Sequence, residues 1–292
     1  MNPTITHQKS RLSLIECPRD AMQGWPHAIA TRDKIRYLQS LLSVGFDTLD
    51  FGSFVSPKAI PQMADTKEVL AALDLSATQT NLLAIIANER GAEEAVSFDA
   101  IRYLGFPFSL SETFQKRNTN STLNESLQRV ETIQELCLKS GKELVIYLSM
   151  GFGNPYGDAY NEEILIYWAH EMANRGIQIL SLADTVGLAT PDQIRWALQT
   201  LIPAYPNSTI GVHLHATRQD WITKVEAALE AGCTRFDGAL KGIGGCPMAQ
   251  DQLVGNLDTA ELIPFLENRG YALGLDHNAL QQSLQVANEI FV

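Results

Sequence analysis

The chain contains 292 residues, of which 45% are hydrophobic and 19% are charged, and its formal net charge is −11. This length allows one large buried core, and the acidity excludes a general attraction to nucleic acid or to an anionic membrane surface. Four scattered cysteines without a CxxC pair argue against a zinc ribbon or a disulfide scaffold, and no apolar run approaches the roughly 20 residues that span a bilayer, so we expect a cytoplasmic protein.

Strand-like and helix-like stretches alternate along the chain. The predicted strands cover residues 12–17, 46–51, 80–86, 100–104, 144–148, 177–182, 209–215 and 234–239. The predicted helices cover residues 31–44, 62–73, 89–96, 123–136, 160–174, 191–202 and 220–231, with Gly232 as a C-terminal glycine, followed by two further helices near 258–268 and 276–290.

Eight strand–helix units joined by short links predict a parallel sheet, and a chain of this length favours its closure into a barrel. The residues that follow the first strand are not rich in glycine, so a dinucleotide-binding fold is not indicated. There is no low-complexity linker and no break in composition. The sequence therefore predicts an α/β fold, a (β/α)8 TIM barrel with extra C-terminal helices, as a single domain over residues 1–292.

Polar residues follow the predicted strands at the end where barrel enzymes build their active sites. His213 and His215 are two apart on a strand, so both side chains point to one face. Asp20 follows strand one and Asn256 lies beyond strand eight, which is the neighbour of strands one and seven in a closed barrel. Together they would make a mixed nitrogen and oxygen site suited to Mg²⁺ or Mn²⁺. Alternatively, the histidines have core or hydrogen-bonding roles and Asn256 caps a helix.

Arg19 is a cation beside Asp20. It could form a structural ion pair with Asp20, Glu16 or Asp50, or it could stabilise an oxyanion that develops during a reaction. Asp184 ends strand six and is either a base, a substrate contact or a turn former.

A glycine-rich stretch, residues 242–247, follows strand eight and carries Cys246. It suits a mobile lid with Cys246 as a proton donor. A phosphate cradle is an alternative for the loop, and a small buried apolar residue is an alternative for the cysteine.

These residues lie in motifs that resemble those of the 3-hydroxy-3-methylglutaryl-CoA (HMG-CoA) lyases, a family of barrel metallolyases. The resemblance extends over nearly the whole chain. The matching stretches are residues 18–20 with Gln23, 53–58, 61–65, 125–129, 181–187, 213–215, 242–247, 249–250 and 255–256. Residues 53–58, Ser-Phe-Val-Ser-Pro-Lys, separate this family from related synthases.

The resemblance implies cleavage of HMG-CoA, or of a close 3-hydroxyacyl-CoA analogue, to acetoacetate and acetyl-CoA, as in leucine degradation and ketone-body formation. It implies a divalent cation, Mg²⁺ or Mn²⁺, bound by the residues matching Asp20, His213, His215 and Asn256. Asp20 or His213 would serve as the base, and a homodimer is expected. The remaining implied roles are enolate neutralisation by Arg19, protonation by Cys246, pocket contacts by Asp50 and Asp184, and contacts to CoA phosphates by Lys58, Lys116 and Arg117.

Some positions depart from the family pattern. Ala21 and Ala216 replace a glycine and an aspartate, and Asn154 replaces the cysteine of a Gly-Cys-Pro motif. These departures bear on the acyl group of the substrate. Two other functions are considered: a related metal-dependent aldolase or Claisen-type synthase acting on a 2-oxo acid, and a catalytically silent barrel that binds acyl-CoA or a partner protein.

Overall fold

Eight parallel strands close into a barrel in the order of the sequence, and β1 pairs with both β2 and β8. The computed structural model describes residues 11–245 and 254–292. The strands are β1 (Ser13–Glu16), β2 (Thr48–Ser53), β3 (Asn81–Ile85), β4 (Ile101–Ser109), β5 (Glu143–Ser149), β6 (Ile179–Asp184), β7 (Thr209–Leu214) and β8 (Arg235–Gly238). The predicted TIM barrel is confirmed.

Helices surround the strands and follow them in sequence. They are α1 (Pro18–Gln23), α2 (Thr31–Leu42), α3 (Thr66–Ala72), α4 (Glu89–Val96), α5 (Glu112–Thr119), α6 (Leu123–Lys139), α7 (Glu162–Asn174), α8 (Pro191–Ala204), α9 (Trp221–Glu230), α10 (Thr259–Glu267) and α11 (His277–Ile290). Single 3₁₀ turns occur at Pro61–Met63 and Leu240–Gly242. Among the described helices, none is both long and apolar enough to cross a membrane.

Local sequence signals account for several helix ends. Thr122 begins α6 with a capping box, in which the Glu125 carboxylate accepts a hydrogen bond from the Thr122 backbone N–H. Thr190 begins α8 in the same way, with Pro191 at the first helical position. Gly232 follows α9 with a φ of +86°, the left-handed conformation predicted for a C-terminal glycine.

The fourth strand and the following helix differ from the prediction. β4 extends to Ser109, beyond the predicted end at residue 104, because the segment stays paired with β5 along its whole length despite Pro107. Helix α5 was not predicted. Its first turn is held by a distant side chain, since Asp158 accepts hydrogen bonds from the Thr113 N–H and hydroxyl at 2.9 Å each. This support is not visible in the local sequence.

Candidate metal centre

Two histidines stand at the C-terminal mouth of the barrel. His213 lies in β7 and His215 directly follows that strand, and their ring centroids are 5.1 Å apart. Asp20 lies in α1, which begins just after β1. One ligand atom from each of these three residues lies within 4.8 Å of the other two. The side-chain alternation of a strand therefore brings both imidazoles to the same side as the Asp20 carboxylate.

Asn256 joins this group from a segment that follows β8. Its backbone forms an isolated antiparallel bridge with His215. Its Nδ2 donates to Asp20 Oδ2 at 2.7 Å and to the Ile243 carbonyl oxygen at 2.9 Å. The alternative role as a helix cap does not apply, because the side chain that caps α10 belongs to Asp258. The four residues proposed as ligands from the sequence lie together.

The side-chain oxygen of Asn256 indicates whether Asp20, His213, His215 and Asn256 could bind a cation. It is buried and accepts no hydrogen bond from the described residues. A buried polar atom without a partner is costly, so this oxygen is positioned for a partner from outside the described chain. Two imidazoles, one carboxylate and one amide oxygen form a mixed nitrogen and oxygen donor set of the kind that binds divalent cations. The residues therefore fit a divalent cation.

The two imidazole rings are each oriented through Nδ1. His215 Nδ1 lies 2.8 Å from the Val254 carbonyl oxygen, and His213 Nδ1 lies 3.2 Å from Asp237 Oδ2. Both contacts favour the tautomer with hydrogen on Nδ1. Nε2 of each ring is then the atom available to a cation.

The electrostatic surroundings favour ligand forms of Asp20 and His215. Burial raises the pKa of Asp20, but Arg19 and the two histidines outweigh it, and the pKa falls to about 2. Burial, aided by repulsion from His213, lowers the pKa of His215 to about 4. For His213 burial also lowers the pKa, yet the contact with Asp237 outweighs it and the pKa is raised. At neutral pH Asp20 is therefore an anion and His215 a neutral base, while His213 holds a proton more tightly.

Gly244 allows the backbone at this position to lie against the proposed ligands Asn256 and Asp20. Its φ is +118°, and a Cβ atom there would lie 2.3 Å from Asn256 Nδ2 and 2.7 Å from Asp20 Oδ2. Only glycine fits such a position. Cys246, the predicted proton donor of this loop, lies outside the described residues.

Arg19 is fixed by two carboxylates. Its Nη2 donates to Asp50 Oδ2 at 2.6 Å, its Nε donates to both oxygens of Asp50, and its Nη1 donates to Asp20 Oδ1 at 3.1 Å. Burial pushes the pKa of Asp50 upward, whereas the forked contact with Arg19 favours its ionised form, and the short contact is that of an ion pair. Burial lowers the pKa of Arg19, but its carboxylate neighbours outweigh this and raise it. The guanidinium is therefore a preorganised cation beside the ligands.

Asp184 lies outside this group. Its Oδ2 accepts from Lys224 Nζ at 2.9 Å and its Oδ1 accepts from the Ala189 N–H at 3.0 Å. Lys224 is almost fully buried and also donates to the carbonyl oxygens of Gly187 and His215. Asp184 thus fixes the turn after β6, and its proposed role as a base or substrate contact gains no support from this placement.

A cavity of about 120 Å³ opens beside the histidines and Arg19. Its remaining lining comes from the C-terminal halves of the strands, the turn after β6, and helix α5. These residues are Ile85, Pro107, Phe114, Asn118, Tyr147, Ser149, Ala183 and Thr185, together with Asp20. The lining combines apolar side chains with polar and charged ones, which suits a substrate with both characters.

Comparison with known proteins identifies the family. The profile of the HMGL-like family matches residues 14–287. The chain belongs to the HMGL-like family. The resemblance inferred from the sequence motifs is therefore confirmed.

HMGL-like relatives and structures cover most of the chain. The hydroxymethylglutaryl-CoA lyase of Bacillus subtilis is 35% identical over 250 residues, which are 86% of this chain and 83% of the relative. The (R)-citramalyl-CoA lyase of Chloroflexus aurantiacus is 30% identical over 272 residues, 90% of this chain and 85% of the relative. An HMG-CoA lyase structure from Acinetobacter baumannii, in complex with coenzyme A and 3-methylmalate, superposes with a TM-score of 0.89 at 31% identity, covering 96% of this chain and 91% of that one.

The three departures from the HMGL-like motifs have structural settings of their own. Ala21 is fully buried in α1. Ala216 donates its N–H to the Gly255 carbonyl oxygen, which ties the segment after β7 to the segment that carries Asn256. Asn154 accepts hydrogen bonds from the backbone of the next turn and returns one to it. Asn154 therefore holds the loop after β5 by hydrogen bonding.

The three basic residues proposed for CoA phosphates in this HMGL-like chain lie on the surface. Lys58 is exposed after β2, and Lys116 and Arg117 are exposed on α5. Helix α5 also supplies Phe114 and Asn118 to the cavity, so its basic residues lie on an element that borders the site. Arg117 also stacks over the Tyr156 ring, with its guanidinium carbon 4.6 Å from the ring centroid.

Two buried residues that support the site were missed in the sequence. Asp237 lies in the predicted strand 234–239 and was not singled out there, although a carboxylate in a buried barrel strand is itself a signal. Lys224 stands three and four residues before Ala227 and Ala228, which are buried on the inner face of α9, so the helical spacing itself was a signal of its burial.

Proposed function

We propose that this protein is a divalent-metal-dependent carbon–carbon lyase that cleaves HMG-CoA, or a close 3-hydroxyacyl-CoA analogue, to acetoacetate and acetyl-CoA. The observation that carries the proposal is the convergence of Asp20, His213, His215 and the unpaired oxygen of Asn256 beside a fixed guanidinium, in a chain of the HMGL-like family. Relatives named as HMG-CoA lyases support the choice of substrate.

The chemistry needs a proton acceptor and a cation. Mg²⁺ or Mn²⁺, when bound, would lower the pKa of the tertiary hydroxyl group of the substrate. Asp20 is a weak acceptor for the hydroxyl proton because its pKa is lowered to about 2. His213 is the stronger acceptor because its pKa is raised, but Nε2 can hold either a proton or a cation and not both. We propose that Asp20, His213, His215 and Asn256 would hold the cation, and the Asp20 carboxylate and the His213 imidazole are the two candidate acceptors of the hydroxyl proton.

Arg19 serves the second half of the reaction. Cleavage leaves an acetyl-CoA enolate, an anion that a preorganised cation stabilises strongly in a site that excludes water. Asp50 holds the Arg19 guanidinium through three contacts, so its orientation does not change as charge develops. We keep Cys246 as the proposed proton donor to the enolate.

The direct experiment is an assay for acetoacetate with purified protein, HMG-CoA and Mg²⁺ or Mn²⁺. EDTA should abolish production, and added cation should restore it. His215→Gln should remove activity, whereas His170→Gln, a matched change at an exposed histidine on α7, should not. Absence of acetoacetate with both cations would overturn the proposal.

A second candidate substrate is supported by the similarity to the (R)-citramalyl-CoA lyase. Running (R)-citramalyl-CoA in parallel and following acetyl-CoA would decide between the two acyl groups. The same screen, extended to 2-oxo acids with acetyl-CoA, tests the aldolase or synthase alternative.

Several finer assignments remain proposals. They are a cytoplasmic location, a homodimer, a setting in leucine degradation, and contacts of Lys58, Lys116 and Arg117 with CoA phosphates. The exposure of these three residues and the position of α5 at the cavity support the last of these.

A further inference from the structure

A buried ion pair lies inside the barrel on the N-terminal side of the candidate metal centre. Arg235 and Asp237 are the first and third residues of β8, so both side chains point inward. Arg235 is 5% exposed and Asp237 is 1% exposed. Neither residue is among the proposed ligands or the groups assigned to the reaction above. A buried guanidinium inside a barrel requires an explanation, because arginine is rarely buried without a specific partner.

The neighbouring strand provides the space for this side chain. Gly211 in β7 stands beside Arg235, and a Cβ atom at Gly211 would lie 2.9 Å from both Cβ and Cγ of Arg235. No real Cβ atom approaches that closely, so any other residue at this position would displace the arginine side chain or the strand. The observed position of the Arg235 side chain therefore requires glycine at residue 211.

The two carboxylate oxygens of Asp237 face different partners. Arg235 Nη1 lies 2.9 Å from Asp237 Oδ1, a contact between opposite charges rather than an aligned hydrogen bond. Asp237 Oδ2 lies 3.2 Å from His213 Nδ1 and 3.5 Å from the Ser181 hydroxyl. The carboxylate thus links the guanidinium on one side with the imidazole on the other. Asp237 would be an uncompensated charge inside the barrel without Arg235.

We propose that Arg235 is a positioning residue that acts on His213 through Asp237. Arg235 balances the charge of the Asp237 carboxylate and keeps one of its oxygens occupied, so that the other oxygen faces His213 Nδ1. That contact selects the tautomer and the ring orientation in which Nε2 points at Asp20 and His215. Partners of this kind, one step removed from a ligand, commonly change metal affinity by about 10- to 100-fold when they are mutated. The inference rests on the metal site proposed above.

The test combines a metal-binding measurement with one that needs no metal. Mn²⁺ affinity is measured without substrate by electron paramagnetic resonance, and the tautomer of His213 is read from long-range ¹H–¹⁵N NMR spectra of the metal-free protein. Arg235→Met should weaken Mn²⁺ binding by about 10- to 100-fold and should remove the signal of the tautomer with hydrogen on Nδ1. Arg235→Lys, which keeps the positive charge, should retain more of the Mn²⁺ affinity and more of the His213 tautomer signal than Arg235→Met does.

A double-mutant comparison tests the route through Asp237. If Arg235 acts only through that carboxylate, Arg235→Met in an Asp237→Asn background should change Mn²⁺ affinity by less than about twofold. Lys142→Met is the matched control, because Lys142 is also a buried cation but donates to the carbonyl oxygens of Phe98 and Ile101. It should lower the melting temperature and leave the His213 tautomer and the Mn²⁺ affinity unchanged.

The possible results separate this inference from the proposed function. Unchanged Mn²⁺ affinity and an unchanged His213 tautomer in Arg235→Met would overturn the positioning role while leaving the lyase proposal intact. A wild-type protein that binds no Mn²⁺ would instead overturn the metal site, and the tautomer in metal-free protein would still decide whether Arg235 orients His213. If Arg235→Met does not fold, Arg235→Lys is compared with the control Lys142→Met. An equal loss of the His213 tautomer signal in these two variants would overturn the positioning role of Arg235.

Discussion

Replacing Arg19 with glutamine should affect stability and catalysis through two separate interactions. The Arg19 side chain is 10% exposed and the Asp50 side chain is 1% exposed, and their closest contact is 2.6 Å. Removing the guanidinium leaves Asp50 as a buried charge without a partner, which typically lowers the free energy of unfolding by about 3–5 kcal/mol. It also removes the cation proposed to stabilise the enolate, which for one preorganised donor lowers kcat by about 10²- to 10³-fold.

The double variant Arg19→Gln with Asp50→Asn separates the two effects. It removes both charges, so most of the lost unfolding free energy should return, and urea denaturation measures this. Turnover of HMG-CoA per folded molecule should stay low, because the cation is still missing. Lys34→Gln is the control, since Lys34 forms another largely buried pair, with Asp65 at 2.6 Å, away from the cavity. It should lower stability and leave turnover per folded molecule unchanged.

The outcome that refutes this reasoning is a double variant whose turnover returns to within about tenfold of the wild-type value together with its stability. The loss in the single variant would then come from the stranded carboxylate, and Arg19 would be a structural residue alone.

Three further predictions concern other parts of the molecule. Lys224→Met should strand the buried Asp184 carboxylate and lower the free energy of unfolding by about 3–5 kcal/mol, measured by urea denaturation; a change below about 1 kcal/mol would contradict the pairing. Burial raises the pKa of Glu16 to about 8 in the folded state, so the native state holds a proton that the unfolded state releases above about pH 4.5. The free energy of unfolding should therefore fall as the pH rises from about 5 to 8. Glu16→Gln should make the melting temperature less dependent on pH over this range. Neutralising Lys116 and Arg117 should raise KM for the CoA ester, less so at high salt, with kcat little changed; a KM unaffected at low salt would exclude contact with the CoA phosphates.

The barrel and the ligand positions could be predicted because they follow from periodicity. Eight alternating strand–helix units with short links allow few arrangements, and a spacing of two along a strand fixes a shared face for His213 and His215. Asn256 could be placed near Asp20 and the histidines because strand eight adjoins strands one and seven, but its hydrogen bond to Asp20 depends on a loop path that no local pattern encodes.

The alternation of side chains along β6 could have predicted the direction of the Asp184 side chain. Ala183 lines the cavity, whereas Leu180 and Leu182 belong to the apolar core. Side chains alternate between the two faces of a strand, so Leu180 and Leu182 share one face and Ala183 points to the other. Asp184 shares the parity of these leucines, so its side chain points away from the cavity and toward Lys224. The strand pattern contained this information, and the helical spacing of Lys224 relative to the buried Ala227 and Ala228 indicated its burial. The pairing of Lys224 with Asp184 depends on tertiary contacts that a sequence pattern does not show.

Asn256 follows all eight strands in the sequence, and its backbone bridge to His215 joins the C-terminal segment to the barrel. During synthesis the ribosome therefore releases a complete set of strands before this donor emerges. A nascent chain that ends at residue 245 would contain Asp20 and both histidines but not the amide oxygen. The proposed cation site can therefore be complete only late in biogenesis, and two fragments divided within residues 246–253 should recover Mn²⁺ binding on reassociation if the proposal is right.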